Sequence, residues 1–170
     1  MESTGEDPLL NSRLAAAMVR GYQGENLKED NWRVAACVKH FAAYGGALAG
    51  RDYNTVDMSE RQLREMYLPG YKAGLDAGAK PVMTSFNTVD GIPATGNQWL
   101  FRDVLRNEFG FEGVVISDWG AIKELIPHGV AKDEKQAAEL AIKAGVDIEM
   151  MTTCYPDYLK ELLEEGRIAE

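Results

Sequence analysis

The clearest chemical signal in the sequence is a carboxylate at the end of an apolar run. Asp118 follows residues 113–117 and is followed by Trp119 and Gly120. A carboxylate beside an indole suits a sugar site, because the indole stacks on the C–H faces of a sugar ring while polar groups bond its hydroxyls. The alternative is an aspartate that caps the next segment, and spacing alone leaves the two interpretations even.

Lys39 and His40 form a second candidate group, at the end of the apolar run 34–38. Adjacent strand residues point to opposite faces, but where a strand ends the backbone turns and both side chains can reach one pocket. Both can donate hydrogen bonds to ligand hydroxyls, or Lys39 can form a Schiff base while His40 moves protons. The structural alternative is a packed histidine beside a lysine whose charged head stays in solvent.

Other side chains could complete a pocket, but each also has a structural explanation. Arg51 and Asp52, in a Gly-rich segment, either clamp a ligand or pair with each other. Met83 and Phe86 lie near the polar end of another apolar run, where such residues more often belong to the core. His128 is expected to be structural.

Two further carboxylates, Asp147 and Glu149, interrupt the apolar run 146–151. Because they are two positions apart on a predicted strand, their side chains face the same way. They either line the mouth of the pocket or pair with a cation, and the sequence leaves both interpretations open.

The sequence predicts neither a metal nor an organic cofactor. His40 and His128 are far apart, and Cys37 and Cys154 have neither disulfide-framework nor metal-finger spacing. The Gly-rich segment 45–50 lacks the G-x-G-x-x-G spacing of a phosphate-binding turn, and no G-x-S-x-G nucleophile elbow is present.

The composition excludes two broad classes of partner. The chain has 18 Lys and Arg against 27 Asp and Glu, a formal net charge of −9. Phosphate backbones and anionic lipids are bound largely through Lys and Arg, so we predict no nucleic-acid partner. We also predict no membrane partner, since no apolar run approaches the roughly 20 residues that a membrane helix needs.

The elements that must position the candidate residues alternate along the chain. Several segments with helical spacing begin at capping residues, namely Asp7, Ser59 and Asp133, and Pro69 predicts a kink or break. The predicted strands are residues 34–40, 80–87, 113–118 and 146–151, and the predicted helices are residues 8–23, 59–76, 97–109, 133–144 and 155–165.

Apolar strands that alternate with helices indicate an α/β protein whose parallel sheet is covered by helices on its outer face. The polar candidates gather at the carboxyl ends of the strands, which carry the active site in a (β/α)8 TIM barrel. A full barrel has about 250 residues, whereas this chain has 170 and about four parallel strand–helix units. The sequence therefore predicts a partial barrel, a single incomplete domain over residues 1–170.

Several ordered motifs resemble the N-terminal barrel of glycoside hydrolase family 3, most closely its β-glucosidase branch. The motifs are residues 34–45, 51–54, 59–69, 82–87 and 116–120, and the resemblance covers nearly the whole chain. The hexosaminidase branch has an Asp-His pair in the loop after its Lys-His motif. Residues 41–53 hold no histidine, which disfavours that branch.

The resemblance implies roles for residues already singled out. Asp118 matches the catalytic nucleophile, and Trp119 matches the aromatic residue that lines the site. Lys39 and His40 match the pair that holds hydroxyls of the terminal sugar, and Arg51 matches a further sugar-binding arginine.

Two more positions match the substrate pocket of the family. Met83 matches a residue at the edge of the sugar. Phe86 stands where many members have a tyrosine, so the hydroxyl of that tyrosine near the nucleophile is absent here.

The implied activity is that of a retaining, exo-acting β-glucosidase-like hydrolase. Asp118 would form a covalent glycosyl-enzyme, and a second carboxyl about 5–5.5 Å away would act as acid and base. In the β-glucosidase branch a glutamate from a domain C-terminal to the barrel supplies that carboxyl, so we expect the chain to need such a domain. We expect the chain alone to be inactive or very weak, except on substrates with good leaving groups.

Two other functions stay open at this point. One is a non-catalytic sugar-binding or docking half-barrel that retains Lys39, His40 and Trp119, and the other is a Schiff-base lyase that uses Lys39.

The extent and location of the whole protein follow from the same resemblance. The opening strands of the family would precede Met1, so we expect Met1 to be an internal position of a longer chain. The polar N-terminus is not a signal peptide, which predicts a cytoplasmic protein if Met1 is the native start and allows a periplasmic or secreted parent otherwise. An unclosed sheet exposes strand edges, which predicts self-association.

Overall fold

A computed structural model describes residues 4–24 and 26–169 as an α/β fold. The strands are β1 (Val38–Phe41), β2 (Pro81–Thr84), β3 (Thr88–Val89), β4 (Ile92–Pro93), β5 (Val114–Trp119) and β6 (Ile148–Met150). The α-helices are α1 (Pro8–Gln23), α2 (Glu60–Gln62), α3 (Leu68–Asp76), α4 (Glu134–Ala144) and α5 (Cys154–Glu164), and π-helical segments cover Leu63–Tyr67 and Trp99–Glu108. The expectation about Met1 falls outside the described residues.

Four strands form one parallel sheet in the order β1-β2-β5-β6. Each strand lies beside the next long strand of the chain, and helical segments connect them, as in successive units of a barrel. The short strands β3 and β4 form a separate antiparallel hairpin. Over the described residues the sheet is open at β1 and β6. The four parallel strands and the helical segments between them confirm the predicted α/β fold with four parallel strand–helix units.

The predicted helix starts are confirmed by their caps. The side chain of Asp7 accepts a hydrogen bond from the Leu10 N–H at 2.7 Å, and Pro8 occupies the first helical position of α1. Ser59 caps α2 through the Gln62 N–H at 3.2 Å.

The helix that follows Ser59 is irregular just before Pro69. A π-helical turn at Leu63–Tyr67 separates α2 from α3, and Pro69 lies in the first turn of α3. Proline removes an N–H donor and clashes with the carbonyl one turn earlier, so the break predicted near Pro69 has a direct physical cause.

Strands β1, β2 and β6 are shorter than the sequence predicts, and β6 covers only Ile148–Met150. Pairing between β1 and β2 begins only at Val38 opposite Val82, and the earlier residue Val34 is 61% exposed. Strand β2 leaves the sheet after Thr84. Residues 34–37 lie on the open edge of the sheet, where they have no partner strand among the described residues, so their apolar character does not produce a strand.

The core lies between the sheet and the covering helices. Val82 and Val115 project from the middle of β2 and β5 and are fully buried. The largest fully buried side chains of the core cluster are Phe41, Phe101, Leu100, Leu105, Ile122, Leu125 and Leu162. Because the apolar residues of the central strands are fixed against these helices, the carboxyl ends of the strands are held in register.

Candidate functional site

Asp118 lies at the carboxyl end of β5, where it is almost buried, with 8% of its surface exposed. Its Oδ1 accepts a hydrogen bond from the Trp119 N–H at 2.6 Å, and its own N–H donates to Thr84 Oγ1 at 3.2 Å. Thr84 Oγ1 is also 2.8 Å from Thr95 Oγ1. The carboxylate is therefore held by the N–H of the next residue, and the backbone of Asp118 is held by β2, the neighbouring strand.

The second carboxylate oxygen of Asp118 faces His40. Asp118 Oδ2 is 3.4 Å from His40 Nε2, and both side chains are nearly buried. Over the described residues Oδ2 accepts no hydrogen bond. A buried carboxylate oxygen without a donor is costly unless it serves a ligand or a reaction, so this atom marks the chemical centre of the site.

Both predicted strand ends are irregular where the candidate residues lie. Between β1 and β2 the register passes from Val38 opposite Val82 to Phe41 opposite Thr84, so β1 contains one residue more than β2. The Lys39–His40 peptide bond within that stretch is cis. Bulges of this kind redirect side chains and are common beside active sites.

The second irregularity contains Asp118. Between β5 and β6 the register passes from Ile116 opposite Ile148 to Trp119 opposite Met150, so β5 contains one residue more than β6. Ser117 stabilises this stretch, because its hydroxyl accepts a hydrogen bond from the Met150 N–H at 2.8 Å. The sequence pattern did not reveal either bulge, because a bulge is defined by the register of a strand against its neighbour in the sheet.

Lys39 and His40 also line a groove on the open flank of β1. The groove has a volume of about 920 Å³ and runs between α1 and the helix that includes α3. Tyr44, Tyr67 and Tyr71 contribute further walls, and Tyr71 donates a hydrogen bond to the His40 carbonyl at 2.6 Å. His40 thus lies between this groove and Asp118.

A row of aromatic rings leads away from His40. Its ring lies edge-on to Tyr44 with centroids 5.3 Å apart, and Tyr44 is 6.1 Å from Phe86. Tyr53 packs on Phe86 at 4.4 Å. The Tyr44 hydroxyl donates to Asp52, and burial, followed by this carboxylate, raises the pKa of Tyr44. The sequence analysis did not single out Tyr44 or Tyr53, because separate loops bring them together.

The remaining predicted site residues differ in their burial and in their contacts. Met83 is partly buried on β2, opposite Ile116 of β5. Trp119 directly follows Asp118 and is 62% exposed. Arg51 lies exposed in the loop after β1, and over the described residues it makes no ion pair with Asp52, whose carboxylate accepts from Tyr44 instead.

Glu124 is a carboxyl group near Asp118 that the sequence analysis missed. It lies in a helical turn, Lys123–Leu125, and its N–H donates to the Gly120 carbonyl at 3.1 Å. Burial raises the pKa of the Glu124 carboxyl, and the negative charge of Asp118 raises it further. No sequence signal marked Glu124, because its place near Asp118 depends on the turn that the bond between the Glu124 N–H and the Gly120 carbonyl closes.

The two carboxylates of the last strand region have structural partners. Asp147 Oδ2 accepts hydrogen bonds from the Val115 N–H at 2.8 Å and from Arg106 at 2.9 Å, so it pairs with a cation. Glu149 accepts from the Cys154 N–H at 3.0 Å and the Tyr155 N–H at 2.7 Å, so it caps α5. Neither is needed to explain the pocket.

Two classes of site find no support in the part of the chain that the structure describes. No group of three or more His, Cys, Asp and Glu side chains is arranged to hold a metal ion in residues 4–24 and 26–169. In the same ranges, none of the helices has the length and apolar character required to cross a bilayer.

Comparison with known proteins gives one consistent family. Residues 1–170 match the sequence profile of the glycosyl hydrolase family 3 N terminal domain. The periplasmic beta-glucosidase of Salmonella typhimurium is 49% identical over 98% of this chain, and a beta-xylosidase of Formosa agariphila is 40% identical over 88% of it. The chain spans 22% and 21% of the length of these two relatives.

Solved structures give the same result. A beta-glucosidase from Listeria innocua, solved in complex with glucose, is 62% identical over 99% of this chain and superimposes with a TM-score of 0.98. An aspartate-to-alanine mutant of that enzyme, solved with laminaribiose, has a TM-score of 0.97. The present chain covers 24% of the Listeria chain.

Proposed function

Because the chain belongs to glycoside hydrolase family 3, as its N-terminal domain, we propose that the protein containing it is a retaining, exo-acting β-glucosidase. The observation that supports this most directly is the buried Asp118 Oδ2, which accepts no hydrogen bond over the described residues and lies 3.4 Å from His40. A nucleophilic carboxylate needs such an oxygen, one that faces the site and whose lone pairs are not occupied by hydrogen-bond donors of the protein.

In this mechanism Asp118 attacks the anomeric carbon, the glycosidic bond breaks, and a covalent glycosyl-enzyme forms. Water then cleaves the intermediate, so that two displacements give net retention. The Trp119 N–H, which binds Oδ1, fixes the orientation of the carboxylate. The acid and base is a glutamate from a second domain, C-terminal to the barrel domain to which residues 1–170 contribute.

The glycone pocket is formed by the residues that surround Asp118. We infer that Lys39, His40 and Arg51 donate hydrogen bonds to hydroxyls of the terminal sugar. Trp119 covers an apolar face of the ring, and Met83 and Phe86 contact its edge. His40 Nε2 lies 3.4 Å from Oδ2 of the reacting carboxylate.

The substrate class and the location follow from the relatives. The Salmonella and Listeria proteins are named beta-glucosidases, and one Listeria complex contains glucose, so we propose a terminal β-linked glucose as the substrate. The Formosa relative is named a beta-xylosidase, which makes xylosides the second substrate to test. Since the Salmonella protein is periplasmic by name, we propose a periplasmic or secreted location for the whole protein.

Thermal unfolding of the purified chain with and without glucose tests whether the pocket is functional. Glucose at about 100 times its dissociation constant stabilises the folded state by about 2.7 kcal/mol, which corresponds to a rise in Tm of about 5–10 °C for a domain of this size. We expect His40→Ala to abolish this rise and His128→Ala, which changes none of the proposed sugar-binding residues, to retain it.

Two outcomes would contradict the proposed pocket. An equal rise in Tm with mannitol would mean that glucose acts as a general osmolyte rather than a bound ligand. An unchanged Tm in a cooperatively unfolding chain would mean that residues 1–170 do not by themselves form the glucose pocket.

A further inference from the structure

Two buried hydroxyl groups, those of Thr84 and Ser117, bond the backbone of Asp118, and the mechanism above uses neither. We propose that Thr84 and Ser117 are positioning residues, which fix the backbone of the nucleophile and thereby the direction of its reacting oxygen, Oδ2. The proposal rests on the proposed function, because the position of Asp118 affects a rate only if Asp118 attacks the substrate.

The regular pairing of the sheet is interrupted around Asp118 on both sides of β5. Toward β2, the register ends at Met83 opposite Ile116, two residues before Asp118. Toward β6, β5 contains one residue more than its neighbour between Ile116 and Trp119. Because backbone N–H and C=O groups in a buried region need partners, groups other than the ladder must bond the backbone of Asp118.

Side-chain hydroxyls bond both polar groups of the Asp118 backbone. Its N–H donates to Thr84 Oγ1 at 3.2 Å, and its carbonyl accepts from Ser117 Oγ at 2.9 Å. The same carbonyl accepts from the Ala121 N–H at 3.1 Å. The Ser117 hydroxyl also accepts a hydrogen bond from the Met150 N–H at 2.8 Å, so it connects β5 to β6 across the bulge. One hydroxyl thus ties Asp118 to each neighbouring strand.

The Thr84 hydroxyl is itself held in place by a second hydroxyl. Thr84 Oγ1 is 2.8 Å from Thr95 Oγ1, and Thr95 lies in the helical turn Ala94–Gly96. Thr84, Thr95 and Ser117 are each 2% exposed or less, so bulk water does not compete for their hydrogen bonds. A hydroxyl has one proton and two lone pairs, which allows Thr84 to bond Thr95 and accept from the Asp118 N–H at the same time.

The geometry of attack depends on this backbone. The Trp119 N–H holds Oδ1 of Asp118 at 2.6 Å, and Oδ2 lies 3.4 Å from His40 Nε2. Because the aspartate side chain is short, a shift of its backbone moves Oδ2 by a comparable distance. A displacement of about 1 Å can lower the rate of an enzyme reaction about 100-fold. Thr84 and Ser117 therefore affect the attack step and not the residues that hold the sugar.

The experiment measures the attack step alone in the full-length enzyme. The probe is a dinitrophenyl β-glucoside in which fluorine replaces the hydroxyl beside the anomeric carbon, a change that slows hydrolysis of the glycosyl-enzyme. The Asp118 carboxylate forms an ester bond to the anomeric carbon, the bond from that carbon to the aryl oxygen breaks, and dinitrophenolate leaves without protonation. Released dinitrophenolate and the mass of the labelled protein give the rate of inactivation.

We expect Thr84→Val, which keeps the shape of the side chain and removes its hydroxyl, to lower the maximal rate constant of inactivation about tenfold or more. Ser117→Ala is expected to lower it to a similar extent. The probe concentration that gives half of the maximal rate should change less than about twofold in both variants, because the sugar-binding residues are intact.

Two further variants separate positioning from stability. Thr84→Ser keeps the hydroxyl and loses a buried methyl group, so it should lower Tm but retain the inactivation rate within about twofold. Thr95→Val is the matched control, since it removes a buried hydroxyl of the same network that is bonded to Thr84 and not to Asp118. It should lower Tm as Thr84→Val does and change the inactivation rate less than about threefold.

The contrary outcomes distinguish this proposal from the proposed function. Wild-type enzyme that the probe does not label, or labels at a residue other than Asp118, would overturn the proposed function together with this proposal. Labelling of Asp118 at the wild-type rate in Thr84→Val or in Ser117→Ala would overturn the positioning role of that residue alone, as would an equal loss of rate in Thr95→Val. The smaller change, Ser117→Ala, decides the proposal if Thr84→Val does not fold.

Discussion

Replacing Asp118 with Ala in the full-length enzyme is expected to lower kcat for an aryl β-glucoside by at least about 10⁴-fold, because the variant cannot form the glycosyl-enzyme. The fold should survive, since the Thr84 hydroxyl accepts a hydrogen bond from the backbone N–H of residue 118 and not from its side chain. The Trp119 N–H loses its acceptor, which costs about 1–3 kcal/mol. Steady-state kinetics and a thermal melt measure the two effects separately.

Added azide provides the positive test of the same variant. The space left by the Asp118 carboxylate can admit a small anion, which attacks the anomeric carbon in one displacement and gives an α-glycosyl azide. We expect azide to restore part of the rate and the wild-type enzyme to form no such product. Asp103→Ala, an exposed aspartate on the helix before β5, is the control. A residual rate above about one tenth of wild type would exclude Asp118 as the nucleophile.

The position of Asp118 could be predicted because it depends on local pattern alone. A short apolar run followed by Ser117 and Asp118 predicts a strand that ends in a polar pair, and a parallel sheet brings such ends to one edge. The structure places Asp118 and His40 there, 3.4 Å apart. The capping residues Asp7, Ser59 and Asp133 were equally predictable, since each bonds an N–H only three residues away.

What the sequence did not reveal depends on contacts between distant segments. Val34 has the apolar character of a strand residue, but the strand forms only where β2 supplies a partner, from Val38 onward. The row from His40 through Tyr44 and Phe86 to Tyr53 joins two loops whose conformation no periodic pattern encodes. Binding residues often lie on loops, and the geometry of loops is the least predictable part of a site.

Asp147 and Glu149 illustrate the opposite error, in which a chemically suggestive pattern has a structural role. Their spacing on a strand is compatible with a pair of pocket carboxylates, but each is occupied by backbone N–H donors. Asp118 Oδ2 differs because it accepts no hydrogen bond over the described residues. The unsatisfied hydrogen-bonding capacity of a carboxylate, more than its place on a strand, separates the reacting group from the structural ones.

Gly113→Ala is expected to destabilise the fold more than any surface substitution, by about 3 kcal/mol or more. A Cβ at this position would lie 2.0 Å from the Lys80 carbonyl oxygen and 2.6 Å from the Phe111 ring. That carbonyl also accepts the Val114 N–H at 3.0 Å, where β2 and β5 begin to pair. The added methyl group must therefore separate two central strands. Urea unfolding followed by circular dichroism measures the loss.

The matched control is Gly21→Ala. Gly21 lies on α1, and a Cβ added there would meet no neighbouring atom within 4 Å. There the substitution should stabilise the protein by about 0.5–1 kcal/mol, because alanine favours a helix over glycine. Gly113→Ala should also weaken glucose binding, since β2 carries Met83 and β5 carries Asp118. Unfolding of Gly113→Ala at the same urea concentration as the wild type would mean that β2 and β5 are not packed as closely as the structure places them. The position of Asp118 relative to Thr84 would then be wrong as well.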